Sequence, residues 1–300
     1  MKLGFLTVCL KTIDLKELVK WASESQFQSL EVACWPVNSD RDYAGSSINV
    51  IKLNEKGAKE IKKIFKDYNI SISSLAYYDN NLTHDLNRRK ENHEHLKKVI
   101  IAAEMLEVEQ VGTFIGRNIE KTEEENWKIY EEVFPDIIKF AEKHNVKIII
   151  ENCPMVGWQR EKTIGNLAYS PENWEKMFKI IPSKNFGLNL DPSHLYWLGI
   201  DYIQVIKDFK ERIFHAHAKD TEIFKDKLMK NSILGRGWWR YRMPGLGEID
   251  WKKFITTLKD NGYDGVLSIE HEDPVWYGDE DKVKRGLIFS RKYLSDFIVE

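Results

Sequence analysis

Cysteine is scarce in this chain, and long apolar runs are missing altogether. Cys9, Cys34 and Cys153 are the only three cysteines, each at the end of an apolar run. They stand at no metal-ligand spacing, and an odd number closes no disulfide framework. They read as reduced thiols near strand ends in a cytoplasmic protein. Nowhere do about 18 apolar residues run together, which excludes a membrane-spanning helix. The opening MKLGFLTVCLKTIDL sets Lys2 before an apolar stretch, but Lys11, Asp14 and Lys16 interrupt it early. No small-residue cleavage site follows, so it is not read as a secretory leader. An excess of either charge is lacking too. The formal net charge is −2, with acids and bases interspersed along nearly the whole length, which argues against a dedicated nucleic-acid binder. No linker, low-complexity tract or repeat divides the chain, so residues 1–300 are expected to form one domain.

What is present is alternation. Apolar runs that read as strands occur at Lys2–Leu10, Ser29–Trp35, Ile70–Tyr77, Gln110–Ile115, Val146–Asn152, Phe186–Leu190, Ile213–Ala218 and Gly265–His271. Amphipathic patterns separate them, from LKELVKWASES after Asp14 to DEDKVKRGLIFSRKYLSDF near the end. Asp14, Ser170 before Pro171, and Asp250 stand where helix caps belong. Pro135, inside the fourth helical pattern, predicts a kink or two shorter helices. Eight strands each followed by a helix predict a (β/α)8 barrel, because parallel crossovers are right-handed and closure removes both sheet edges. A doubly wound sheet is the runner-up. It would want a glycine-rich first turn, whereas the first run here ends in TVCLKTID.

Chemistry concentrates in the second half. Strands five to eight end in KIIIENCP, FGLNLDPSH, IFHAHAKD and VLSIEHED. Each apolar run stops abruptly in carboxylates or imidazoles, at the end of the strand where barrel enzymes hold their active sites. Glu151, Asp191, His217 and Glu270 occupy those ends on four consecutive strands. Strand phase places His215 and Lys219 on the same face as His217, with His215 one layer deeper, and Ser268 and Glu272 on that of Glu270. Three carboxylates crowded at one mouth need protons or a cation. Three oxygen ligands and one nitrogen suit one divalent ion: Mn²⁺ first, with Mg²⁺, Co²⁺ or Zn²⁺ as alternatives. His84, His93, His95 and His144 fall in helical or loop contexts and read as surface residues.

These motifs resemble the xylose-isomerase-like TIM barrels, which comprise sugar isomerases, epimerases, inosose dehydratases and an endonuclease branch. The resemblance spans nearly the whole chain and is sharpest in IENCP, LDPSH, HAHAKD, the segment PGLGEIDW and GYDGVLSIEHED. It implies that Glu151, Asp191, His217 and Glu270 are metal ligands. It further implies that His194 contacts substrate or a second metal, and that Arg236 binds substrate. The endonuclease branch uses additional histidines for three zinc ions, and the stretch Lys219–Gly265 contains none. A DNA-repair site is therefore not expected.

A metal flanked by two glutamates suits proton transfer at a carbon next to a carbonyl, through a metal-stabilised enediolate. Glu151 and Glu270 are the catalytic pair: one removes the proton and the other returns it. His194 and Lys219 would polarise the carbonyl or shuttle a hydroxyl proton. Return of the proton gives epimerisation or aldose–ketose isomerisation; departure of a β-hydroxyl gives dehydration. Ten tryptophans is a high number. Trp35, Trp158, Trp197, Trp238, Trp239 and Trp276 fall in predicted loops after strands, where indoles stack on sugar C–H faces; Trp35 and Trp158 are the selected substrate contacts. Trp21 and Trp127 read as core. GRGWWRYRM, with Arg236, Arg240 and Arg242, reads as a lid over the mouth. Without a phosphate cradle, the expected partner is an unphosphorylated keto sugar or cyclitol, with no nucleic acid and no membrane. Monomer and homo-oligomer both stay open. The leading expectation is a metal-dependent isomerase or epimerase. A lyase or dehydratase acting on an inosose or 3-keto-sugar derivative comes second, and a non-catalytic sugar-binding barrel third.

Overall fold

A computed structural model of the chain describes residues 1–39, 41, 43–155 and 164–298. The apolar runs become parallel strands: β1 (Lys2–Leu6), β2 (Ser29–Ala33), β3 (Ser71–Ala76), β4 (Gln110–Thr113), β5 (Lys147–Glu151), β6 (Phe186–Leu190) and β7 (Ile213–Ala218). After an antiparallel hairpin of β8 (Asp220–Ile223) and β9 (Trp239–Arg242), β10 (Val266–Ile269) pairs with both β7 and β1. The result is a closed barrel of eight parallel strands with helices between them, a (β/α)8 TIM barrel. Leu30, Val32, Ile148, Ile150, Leu188 and Leu190 are among its fully buried residues, as a sheet covered on both faces requires.

Local sequence sets the element ends. Asp14, Ser170 and Asp250 cap helices as expected, each side chain accepting a hydrogen bond from a backbone N–H in the first turn. β1 stops four residues before its apolar run does. The Thr7 hydroxyl accepts the Ala33 N–H at 2.9 Å, taking the place of a ladder bond, and Thr7–Leu10 turns into a short 3₁₀ helix. Pro135 does not divide its helix. Glu123–Lys143 is continuous, and one buried face containing Trp127, Tyr130, Phe134, Ile137, Ile138 and Ala141 spans the proline. That packing outweighs one missing backbone bond. Two histidines expected at the surface lie deeper. His95 is buried with Nε2 2.7 Å from the Cys34 carbonyl, and His93 is half-buried with Nε2 2.8 Å from that of Asn81. Both belong to the helix Leu86–Leu106, whose inner face packs over the ends of β2 and β3.

The stretch between β7 and β10 is organised by one carboxylate. Asp220 is fully buried and accepts from the N–H groups of Thr221, Gly245 and Ile249 and from Trp251 Nε1, at 2.8–3.0 Å. Glycine is required at 247 because a Cβ there would collide with this carboxylate. Among the described residues, no helix is long and apolar enough to cross a membrane. Asp220→Ala would strand four donors, three of them buried, and it should lower the free energy of unfolding by about 3 kcal/mol. Urea denaturation measures this, and a loss below about 1 kcal/mol would show that the loop is held by other contacts.

Candidate active site

Strand alternation turns Glu151, His217 and Glu270 into the barrel at its C-terminal mouth, and Asp191 follows directly after β6. All four are buried. His217 Nδ1 lies 3.4 Å from Glu151 Oε1 and 3.3 Å from Glu270 Oε2. His194, on the short helix Pro192–Trp197, places Nε2 3.2 Å from Glu151 Oε1 and 3.3 Å from Asp191 Oδ2. Both histidines singled out in the sequence thus reach the carboxylates. The set whose ligand atoms all lie within 4.8 Å of one another, close enough to hold one metal ion, is Glu151, Asp191, His194 and Glu270, with His194 in the place assigned to His217 from sequence.

Two atoms that make no hydrogen bond test whether such an ion fits. Among the described residues, His217 Nδ1 and Asp191 Oδ2 are buried without one, although charged neighbours stand 3.2–3.4 Å away: Glu151 and Glu270 at Nδ1, Lys219 and His194 at Oδ2. Buried polar atoms are ordinarily satisfied. These two belong to a shell of carboxylates and imidazoles, the donors that a divalent cation takes. The residues therefore fit the group.

Lys219 supplies positive charge at the same place. Its side chain is 1% exposed, with Nζ 2.6 Å from Glu270, 2.8 Å from Glu272 and 3.2 Å from Asp191, and it sits 4.4 Å from the Tyr241 ring centre. Burial alone would lower its pKa, but Glu270, Glu272 and Asp191 outweigh that and hold it well above the usual lysine value. Burial likewise opposes ionisation of Glu151, yet His194 and His217 keep it well below the ordinary carboxylate range. Glu270 moves the other way. Burial and the neighbouring Glu151 and Glu272 charges push it up to about 7 despite Lys219. Two carboxylates separated in this manner are arranged for unlike protonation states.

A cavity of about 90 Å³ opens onto Glu151, Lys219, Glu270 and Glu272, with Trp35, Arg41 and Tyr43 among its other walls. Trp35 is buried, and its indole N–H has no partner among the described residues. Trp158 lies outside the described residues. Arg236 is exposed, in the loop before β9. The GRGWWRYRM segment is ordered by pairing rather than free as a loop. Trp239–Arg242 forms β9, Arg240 and Arg242 bond Glu222, and Arg242 also bonds Asp273. Trp239 stacks on Trp197 at 4.5 Å, and Trp276 on Phe289 at 6.3 Å. Trp127 is core, as expected, while Trp21 is only partly buried against it.

Sequence reasoning missed several groups. Tyr241, from β9, places its hydroxyl 2.7 Å from His194 Nδ1. Glu31 on β2 is fully buried inside the barrel, 2.8 Å from His217 Nε2. Its signal was available, since a lone acid in the buried run SLEVA is a costly residue there. His215 lies deeper than His217, with its nitrogens 2.9 Å from Asn189 Oδ1 and 3.0 Å from Ser73 Oγ. Burial holds His215 down at about 4.

Lys219 should be indispensable to the metal-free protein. Lys219→Met removes the cation shared by three carboxylates and should cost about 3 kcal/mol or more of stability, read by urea unfolding in chelator. An unchanged midpoint would show that the carboxylates are neutralised without it.

A family model described as a xylose isomerase-like TIM barrel matches residues 19–293. Uncharacterized protein YfiH of Bacillus subtilis (strain 168) is 25% identical over 303 residues, covering 91% of this chain and 93% of that one. An inosose isomerase of Bacillus licheniformis is 27% identical over 209 residues, 69% of each chain. An inosose dehydratase of Clostridium perfringens is 27% identical over 158 residues, 50% of this chain and 49% of that one. Among solved structures, the IOLI protein with a binding zinc atom aligns with a TM-score of 0.72 at 20% identity over 100% of both chains. D-psicose 3-epimerase with D-tagatose, from Clostridium cellulolyticum H10, aligns with a TM-score of 0.72 at 17% identity over 99% of each. At these identities the two structures demonstrate a common fold.

Proposed function

The chain belongs to the xylose isomerase-like TIM barrel family, and on that premise we propose that it is a divalent-metal-dependent isomerase or epimerase of a keto sugar or related polyol. One observation carries the reading: ligand atoms of the buried Glu151, Asp191, His194 and Glu270 lie within 4.8 Å of one another, with His217 Nδ1 3.3–3.4 Å from both glutamates. In this reading Glu151, Asp191, His217 and Glu270 hold the ion, with His194 adjacent. The oxygen-rich donor set favours Mn²⁺; the zinc of the IOLI structure makes Zn²⁺ the first alternative. When bound, the ion supplies positive charge that stabilises the negative charge developing on substrate oxygens as a proton leaves.

The chain's own residues do the rest. Glu151 and Glu270 come from strands three apart around the barrel, so a sugar seated over them offers the carbon next to its carbonyl to both. One carboxylate takes the proton, and the other delivers one to the same or the neighbouring carbon. His194, steadied by Tyr241, and Lys219, held by Glu270 and Glu272, are positioned to donate to the carbonyl or a hydroxyl oxygen. The Trp35 N–H is free to bind a sugar hydroxyl, and its indole face suits the ring C–H groups. Arg236 is assigned to substrate on the family resemblance alone, and Trp158 on its place in a predicted loop after a strand. A dehydratase acting on an inosose is the second reading, favoured by the inosose dehydratase relative. It uses the same proton abstraction, followed by loss of a β-hydroxyl.

Protein purified without chelator should contain about one divalent ion per chain by elemental analysis, and Asp191→Asn should lose most of it. Full occupancy in that variant would refute the ligand assignment. A panel of keto sugars and inososes in deuterated water separates the two chemistries. Isomerisation or epimerisation puts solvent deuterium on carbon with no loss of water, whereas a dehydrated product establishes the second reading. Glu151→Gln and Glu270→Gln should each lower turnover about 100-fold or more, with α-proton exchange surviving in at most one of them. Near-normal turnover in either variant with its metal retained would reduce that glutamate to a ligand.

A further inference from the structure

Beneath the mouth, inside the barrel, lies a second layer of polar side chains that the proposed chemistry does not use. Glu31 is its centre. Its carboxylate is fully buried, in a strand whose other residues carry no charge. Glu31 Oε2 accepts from His217 Nε2 at 2.8 Å and from Ser268 Oγ at 2.9 Å, while Oε1 accepts from the Tyr78 hydroxyl at 2.5 Å. A buried carboxylate costs several kcal/mol unless paired, and these three donors supply the pairing. Tyr78 is accommodated because residue 112 is glycine; a Cβ there would strike its phenol.

The consequence falls on His217. An ionised carboxylate only accepts, so the proton on Nε2 is committed to Glu31, and Nδ1 is the nitrogen turned toward Glu151 and Glu270. Asn189 Nδ2 also stands 2.8 Å from Nε2 and gives one of its two hydrogens to the Tyr78 oxygen at 2.6 Å; against this neutral amide, the charged Glu31 carboxylate is the group that sets the Nε2 proton. Glu31, His215 and His217 present ligand atoms near one another, but they do not form a second cation site. Both nitrogens of His215 are engaged by Asn189 and Ser73, and Nε2 of His217 is engaged by Glu31 itself.

We propose that Glu31 is a positioning residue, which fixes the Nε2–H tautomer and the ring orientation of His217 so that its Nδ1 lone pair faces a divalent cation. The proposal rests on reading the mouth as a metal site. The physical reason is general: a carboxylate behind a ligating imidazole orients the ring and raises its basicity. A competition titration of Zn²⁺ against a chromophoric chelator tests it on wild type, Glu31→Gln, Glu31→Asp and Tyr78→Phe. Metal-free melting curves for each report folding separately. Glu31→Gln should weaken Zn²⁺ binding about 10–100-fold and alter the visible spectrum of the Co²⁺-loaded protein. Glu31→Asp should recover part of the loss, and Tyr78→Phe, which leaves the Glu31–His217 bond in place, should change affinity less than Glu31→Gln does. If Glu31→Gln fails to fold, nitrogen NMR of wild type loaded with ¹¹³Cd²⁺ decides instead. Coupling of the metal to His217 Nδ1, with hydrogen on Nε2, supports the proposal; coupling to Nε2 overturns it. Unchanged Zn²⁺ affinity and Co²⁺ spectrum in Glu31→Gln would also overturn it, leaving the metal site intact. Failure of wild type to bind Zn²⁺ at all would overturn both the proposal and the reading beneath it.

Discussion

The mouth of this barrel depends on compensating negative charge buried where water cannot reach it. Glu31, Glu151, Asp191 and Glu270 are all buried, and Glu272 completes the ring at its more open side. At barrel-mouth distances like charges of this kind repel strongly in low dielectric, so they ionise together only when cations stand among them. Lys219 meets that need for Asp191, Glu270 and Glu272, while His217 does so for Glu31. Glu151 leans on His194 and His217. Burial and the charges of Glu151 and Glu272 nevertheless push Glu270 up to about 7 despite Lys219. A doubly charged ion is the simplest addition that would offset the remaining negative charge.

Barrel geometry turns that requirement into a particular arrangement. Side chains inside a closed parallel barrel can come only from alternate positions of each strand. Two irregularities of register adjust which ones do. Ser73 is the extra residue where β2 meets β3, between the pairs Leu30–Ile72 and Glu31–Ser74. Phe214 is the extra residue where β6 meets β7, between Leu188–Ile213 and Asn189–His215. Each bulge re-aims the residues around it. Across the barrel Ser73 and His215 then meet, and Asn189 links His215 to Tyr78. The polar interior is thus a connected network from the bulges up to His217.

How much of this could be read from the sequence follows from the range of each interaction. Strand existence was legible because apolar runs of β-branched residues bounded by caps are local signals. Phe186–Leu190 and Ile213–Ala218 fall where the pattern sets them. The mouth residues of strands five to eight were legible because a carboxylate or imidazole that ends a buried run is conspicuous within a few positions. Pairings between distant segments were not. Nothing near Glu31 announces His217, which is 186 residues away, and the two bulges that admit Ser73 and Asn189 leave no local mark. His95 escaped for a related reason. Its run KENHEHLKK is mostly polar, and its burial is explained by distant partners, the carbonyl of Cys34, 61 residues earlier, and the ring of Tyr77. In the GRGWWRYRM segment, read from sequence as a lid, Arg240 and Arg242 are held by Glu222 and Asp273, contacts that appear only once the hairpin pairs.

That hairpin also divides the labour of the site. Glu151, Asp191, His217 and Glu270 stand on or immediately after barrel strands, where backbone hydrogen bonds on both sides limit their movement. Tyr241 instead arrives on a two-stranded excursion fastened to the barrel by Asp220 and Asp273. It reaches His194 at 2.7 Å and lies under Lys219. Those are the two cationic groups not committed to the deeper Glu31 network. A rigid ring that holds charge and a tethered excursion that touches His194 and Lys219 can vary separately. Under the proposed function, changes in the hairpin would retune which oxygen of a substrate receives a proton without disturbing the carboxylates. The choice among isomerisation, epimerisation and elimination would then lie in the surroundings of His194 and Lys219 rather than in the carboxylate ring.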